Sequence, residues 1–369
     1  MSSQCLFLCY RVTTEKLVGE IQDFCDYDLE KINSSIQATG INFVTEDKYL
    51  NDCLLVGVKG LIRNNKTLQT GLLENSWLQR TCNDGTTQWL AGTKDETGNV
   101  NKSFSFISSV LQLNHSHMLI GDKSMKCIRI LDELSGVVST FSGKCSTKLG
   151  GSLWSLNKAI DGGIASAEYD TVTQLYHSPN KPQVILVVDR NKIREMNLNS
   201  GVVSTIFTHK KSRRIEDVIW QNDTFLLCLF STLEAYYSNW TFKEQVFEKK
   251  ISTLYGKDYT GIDNLHISSL SEDLLLLSFV HKVFKNDSRL GYLRASYDQY
   301  RSSVLYSMSK RTSFIILYDP ASADSALGTS PSSIRITASS LTLKLYFSST
   351  RMNKQTYCSS LKMLPIKGG

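Results

Sequence analysis

IREMNLNSGVVST, residues Ile193–Thr205, repeats a phrase the chain has already used as IRILDELSGVVST at Ile128–Thr140. Aligned without gaps, the copies share Ile, Arg, Ser, Gly, Val, Val, Ser and Thr. Each is entered by an apolar run that ends in aspartate, MLIGD to Asp122 and VILVVD to Asp189. A phrase of this kind is the signature of an internal repeat, and it speaks to architecture before activity.

Working outward, CLLVGVKGLIR at Cys53–Arg63 aligns onto Val184–Arg194 as a degenerate third copy, with Val58 in the place of Asp189. TTQWLAG to Gly92, VVSTFSG to Gly143, VVSTIFT to Thr208 and ISTLYG to Gly256 read as strands that leave one sheet and turn toward the next. TFLLCLFS, DLLLLSFV, SFIILYD and LTLKLYF continue the series as short apolar runs between turn residues, the pattern of strands buried on both faces. No amphipathic helical period stands out, so the expectation is all-β.

Small antiparallel sheets that cannot hide their faces alone do so by stacking around an axis, and closing the ring removes the exposed edges. That is a β-propeller. Runs near Leu54, Met118, Ile185, Phe225, Leu274 and Phe314 count to six blades; the further run from Leu341 keeps seven as the alternative. A strand near Leu6–Tyr10 is expected to complete the last blade and close the ring. The expectation is one domain over residues 1–369, ending in a basic, loop-like segment at 348–369.

The composition fits a packed body: 41% apolar and 10% aromatic residues exclude global disorder. A net charge of +6, from 41 basic and 35 acidic residues, permits an anionic partner without requiring one. No apolar run reaches the roughly 18 residues that a membrane-spanning helix needs. The start, MSSQCLFLCYRV, lacks the basic residue and cleavage pattern of a signal peptide.

Two features pull outward nonetheless. There are nine cysteines, among which Cys53–Cys82 and Cys127–Cys145 would each staple a hairpin. There are also seven glycosylation sequons, at Asn33, Asn65, Asn101, Asn114, Asn222, Asn239 and Asn286. Together they favour an extracellular or cell-surface protein whose leader is absent from this chain, with a reduced cytoplasmic protein as the alternative.

The aspartate-ended run, then Ile-Arg, then Gly-Val-Val-Ser-Thr, resembles the NHL repeat over residues 87–208 and more weakly on either side. The resemblance implies a six-bladed propeller. Within it Asp122, Arg129, Asp189 and Arg194 are structural, the carboxylate holding a turn and the guanidinium bridging strands or blades. The copies depart from the family pattern at Met125, where asparagine is expected, and in the shorter spacing from Asp189 to Arg194.

NHL-type propellers divide into binding platforms, RNA binders and a few enzymes with a metal in the central channel. His115 and His117, two apart, are a potential chelating pair, but LQLNHSHML reads as a turn. No G-x-S-x-G, paired CxxC, P-loop or dinucleotide fingerprint appears. No cofactor, metal or catalytic residue is assigned, and a metal-dependent lyase or hydrolase stays as a third reading. The reading favoured is a non-catalytic scaffold for a protein partner, itself a glycoprotein or at a cell surface, bound through loops on one face. The loops singled out are Thr93–Ser103, Lys144–Gly163 and Thr208–Arg214. The alternative is RNA binding through the basic run His209, Lys210, Lys211, Arg213 and Arg214, with phosphate contacts that weaken with salt.

Overall fold

The computed structural model describes residues 22–23, 36–50, 53–62, 73–82, 86–92, 104–145, 159–178, 181–210, 214–221, 224–229, 232–237, 239–247, 259–269, 273–284, 297–310, 312–320, 335–339, 342–353 and 356–367. Those residues are strands and turns, with no helix among them, and so none long and apolar enough to cross a membrane.

Strand β1 (Gln22–Asp23) precedes six sheets. The first holds β2 (Ile36–Glu46), β3 (Cys53–Ile62), β4 (Leu73–Cys82) and β5 (Thr87–Ala91). The second holds β6 (Ile107–Gln112), β7 (His117–Asp122), β8 (Cys127–Asp132) and β9 (Val137–Ser142). The third holds β10 (Gly162–Gly163), β11 (Val172–Ser178), β12 (Lys181–Asp189), β13 (Lys192–Asn197) and β14 (Val202–Thr208). The fourth is β15 (Ile215–Gln221), β16 (Thr224–Leu229), β17 (Thr232–Tyr237) and β18 (Phe242–Phe247). The fifth is β19 (Tyr259–Ser269), β20 (Leu274–Phe284), β21 (Tyr297–Ser307) and β22 (Thr312–Pro320). In the sixth, β23 (Arg335–Ser339), β24 (Thr342–Asn353) and β25 (Thr356–Lys367) lie in sequence order, with β1 at the edge beside β25. The all-β expectation holds, and its unit is the expected four-stranded antiparallel meander, the strand order of a propeller blade.

Three expectations are corrected. The Phe314 run does not open a sixth sheet; it is β22, the outer strand of the fifth. The run from Leu341 instead contributes to β24 in the sixth sheet, and the segment 348–369, expected to be loop-like, carries the rest of β24 and β25. Its lysines and serines conceal the alternation of Tyr357, Leu361 and Met363. The third copy of the refrain is not an equivalent: Leu61 and Ile62 end β3, a second strand, whereas Ile128 and Ile193 lie on the third strands β8 and β13. The proposed closing strand at Leu6–Tyr10 lies outside the described residues; the N-terminal residues seen pairing with β25 are Gln22–Asp23.

The chain divides into two compact units, one built on Asp23–Ile215 and the other on Glu216–Phe347. In the first, β7 shows why its run is apolar without alternation. Met118 and Ile120 join Phe43, Leu55 and Phe104 in a core between the first and second sheets, while Leu119 joins Tyr169, Ile185 and Val187 in a core between the second and third. Both faces are buried, so both parities are apolar. In the other unit Leu226, Leu233, Leu265, Leu275 and Val304 form the corresponding core of the fourth and fifth sheets. Each fully buried aliphatic side chain contributes on the order of 1.5–3 kcal/mol.

Candidate functional site

Antiparallel order gives the Asp23–Ile215 unit two ends. One carries the β7–β8 and β12–β13 turns with the sheet-to-sheet connections; the other carries the β2–β3, β6–β7, β8–β9 and β13–β14 turns.

The repeat signature lies at the connection end. Asp122 accepts from the backbone N–H groups of Ser105, Phe106 and Met125, and Asp189 from those of Asp170 and Thr171, so each carboxylate ties the chain entering its own sheet. Burial pushes both carboxyls up, while the amides and the neighbouring Arg129 and Arg194 pull them down. Arg194 is wholly buried. It donates to the carbonyls of Glu168 and Ile160 and to Asp189 and Asp161, and lies 4.7 Å from the centre of the Tyr169 ring. Burial pushes the Tyr169 phenol up to about 12. Arg129 is buried too, with its Nε 3.4 Å from the Ser139 carbonyl and its guanidinium 6.0 Å from the Phe104 ring.

The basic run at this end divides. His209 is 4% exposed, its N–H donating to the Asn191 carbonyl, and it lies inside the fold, while Lys210 and Arg214 are exposed. Lys211 and Arg213 lie outside the described residues, as do Thr93–Ser103 and most of Lys144–Gly163. Cys53–Cys82 and Cys127–Cys145 both form disulfides. Of the sequons, Asn114 and Asn239 fall on described residues, both exposed; Asn33, Asn65, Asn101, Asn222 and Asn286 do not. His115 packs its ring on Tyr49 at 4.0 Å, and His117 Nδ1 meets Asn114 Oδ1 at 3.1 Å. Among the described residues no three His, Cys, Asp or Glu side chains are grouped to hold a metal ion.

The opposite end holds an arrangement that sequence reasoning passed over. Arg80 on β4 has a side chain only 6% exposed and donates to Asp47 at 2.6 Å, to Gln88 at 3.0 Å, and bidentately to Glu133 at 2.6 and 3.0 Å. A buried guanidinium demands such partners, because leaving it unpaired is costly. Asp47 also accepts from Gln112 Nε2 and from the amides of Tyr49 and Leu50. Burial alone would raise its carboxyl, but these bonds and Arg80 outweigh it and hold the group below the usual carboxylate range. One guanidinium thus fixes the β2–β3 turn of the first sheet to the β8–β9 turn of the second. The Glu133 N–H, bonded to the Ser116 carbonyl, brings in the β6–β7 turn.

On this rigid base stand exposed apolar side chains. Leu134 is 88% exposed, Val137 57% and Leu50 46%, with Tyr49 and His115 between sheets. The signal in the sequence was Leu134 itself, a leucine among turn formers in DELSG, where the other copy reads NLNSG.

No family model and no curated protein matches this chain. Among solved structures it is similar to the WD40 domain of Neurospora crassa Pan2, over 90% of each chain, with a TM-score of 0.44 and 8% identity.

Proposed function

We propose that this chain is a β-propeller of NHL type that works as a non-catalytic scaffold, docking a protein partner on the β2–β3, β6–β7 and β8–β9 turns. The observation that carries the reading is Leu134, held almost fully in water at the tip of a turn whose neighbour Glu133 is clamped by Arg80. A leucine so placed adds nothing to folding and is pre-organised for a partner, which lowers the entropic cost of association. The repeat reading is supported by the matching third-strand positions of the two refrains. A partner met in an oxidising compartment, at a cell surface or on a glycoprotein, is supported by the two cystines.

The test is a photo-crosslinking residue placed at position 134 or at position 199, its exposed counterpart in the second refrain, in cells that make the protein naturally. Discrete adducts with one protein from position 134 and none from 199 support the reading. Equal labelling from both positions, or labelling only from 199, removes it.

A further inference from the structure

We infer that Asn114 and Asn239 carry N-linked glycans, and that the glycan on Asn114 restrains access to the docking turns. Each asparagine sits at the tip of a tight hairpin turn, β6–β7 and β17–β18, and is exposed. Each uses its side-chain carbonyl, not its nitrogen, to hold the turn. Asn114 Oδ1 accepts from the Ser116 and His117 amides at 3.0 and 2.9 Å and lies 3.2 Å from Ser116 Oγ; Asn239 Oδ1 accepts from the Thr241 amide at 3.0 Å. The carbonyl therefore faces the backbone and the amide nitrogen is left toward water, with the sequon hydroxyl at Ser116 or Thr241 two residues on.

The chemistry is transfer from a lipid-pyrophosphate-linked oligosaccharide. Asn Nδ2 forms a bond to the sugar C1, the C1–O bond to pyrophosphate breaks, and one amide proton is released. A chain holding two cystines meets that donor, because the compartment that permits disulfides is the one in which such transfer occurs. The second half of the inference rests on the proposed docking reading. The Asn114 turn is bonded to the Leu134 turn through Glu133 N–H to the Ser116 carbonyl at 2.7 Å, and its next residue, His115, packs on Tyr49. A branched sugar there occupies the space a partner needs.

The experiment uses the full chain directed into the secretory pathway of eukaryotic cells by an added leader, with both disulfides verified. Enzymatic deglycosylation in ¹⁸O-water, followed by peptide mass spectrometry, reads each site separately. The expected result is conversion of Asn114 and Asn239 to ¹⁸O-labelled aspartate, lost at one site in Ser116→Ala and at the other in Thr241→Ala. These variants keep the asparagine that holds the turn, whereas Asn114→Gln removes a turn acceptor and risks the fold. Unconverted Asn114 and Asn239 in the folded, oxidised protein overturn the assignment, whatever becomes of the docking reading. With Asn114 occupied, Ser116→Ala is expected to raise adduct yield from position 134 several-fold. Unchanged yield, in protein that still forms adducts, overturns the restraint while leaving docking intact.

Discussion

The two refrains, Ile128–Thr140 and Ile193–Thr205, take the same backbone and both place an arginine at the connection end, but at the turn end only the first carries acids, Asp132 and Glu133, where the second has Asn197 and Leu198. Both close the β-hairpin with an acceptor side chain, Asp132 or Asn197, and with a glycine at positive φ, Gly136 at 67° or Gly201 at 68°. Both bond the turn to the chain beside it, Glu133 to the Ser116 carbonyl in the β6–β7 turn and Leu198 to the Gln183 carbonyl on β12. The side chains then invert. In the second copy Leu198 packs against the core and Asn199 faces water; in the first Glu133 turns in to Arg80 and Leu134 faces water. At the other end Arg194 donates through its two terminal nitrogens to two carbonyls and to Asp189 and Asp161, its buried Nε left without a partner among the described residues, while Arg129 lies 3.4 Å from the Ser139 carbonyl. One copy spends its ionic bonding on holding a sheet together, the other on holding two sheets' turns in place beneath an exposed leucine.

The largest way to break this contrast is Arg194→Met, which leaves Asp189 buried without its cation and should cost about 3–5 kcal/mol in chemical denaturation. Arg129→Met should cost less, about 1–3 kcal/mol. Equal losses would mean that the two signatures do the same work. Removing Cys53–Cys82 or Cys127–Cys145, which span 29 and 18 residues, should cost about 3–4 and about 3 kcal/mol in the same assay. Glu133→Leu, which gives the first copy the residue of the second, takes a bidentate partner from Arg80 and should cost about 1.5–3 kcal/mol. Combining it with Arg80→Leu should cost less than the two single losses added together, because both remove the same Arg80–Glu133 bonds, while Asp47 is left buried without its cation.

Acid sharpens the comparison further. Asp47 in the first clamp and Asp161 in the second both titrate below their usual value of 3.8. At Asp161, burial raises the group but bonds from Thr205 and the charge and bonding of Arg194 outweigh it. A carboxyl depressed in the folded state binds fewer protons than it does unfolded. Its stabilisation is therefore full above the unfolded pKa and is lost as pH falls through the folded one. Because the buried Asp122 and Asp189 are raised and act in the opposite sense, the effect is read as a difference. The stability gap between native protein and Asp47→Asn should hold above pH about 5 and narrow below pH about 4. Smallest of all, Leu134→Asn should leave stability within about 0.5 kcal/mol, since the side chain touches little.

Much of this fold was legible in the chain. Runs such as TFLLCLFS and DLLLLSFV, apolar at both parities, announced strands buried on both faces, as consecutive Phe225, Leu226 and Leu227 and Leu275, Leu276 and Leu277 are, and the glycines after VVSTFS and TQWLA sit at positive φ where strands leave their sheets. Ile62 misled because Ile-Arg without an aspartate and turn before it marks no hairpin, and β3 simply runs on. The candidate site was harder. Arg80, Asp47 and Glu133 are far apart in sequence and belong to no motif, and only the packing of two sheets brings them within hydrogen-bond distance. The basic run drew attention by composition, yet its first member, His209, is interior.

Once crosslinking at position 134 has identified the partner, the deciding measurement is a binding isotherm of that purified partner to native protein and to Leu134→Asn, alongside their thermal melts. A buried apolar anchor should weaken binding by about 2 kcal/mol or more, roughly thirtyfold, with the melting temperature unmoved. Unchanged affinity would contradict the account, for the inverted turn would then display its leucine to nothing.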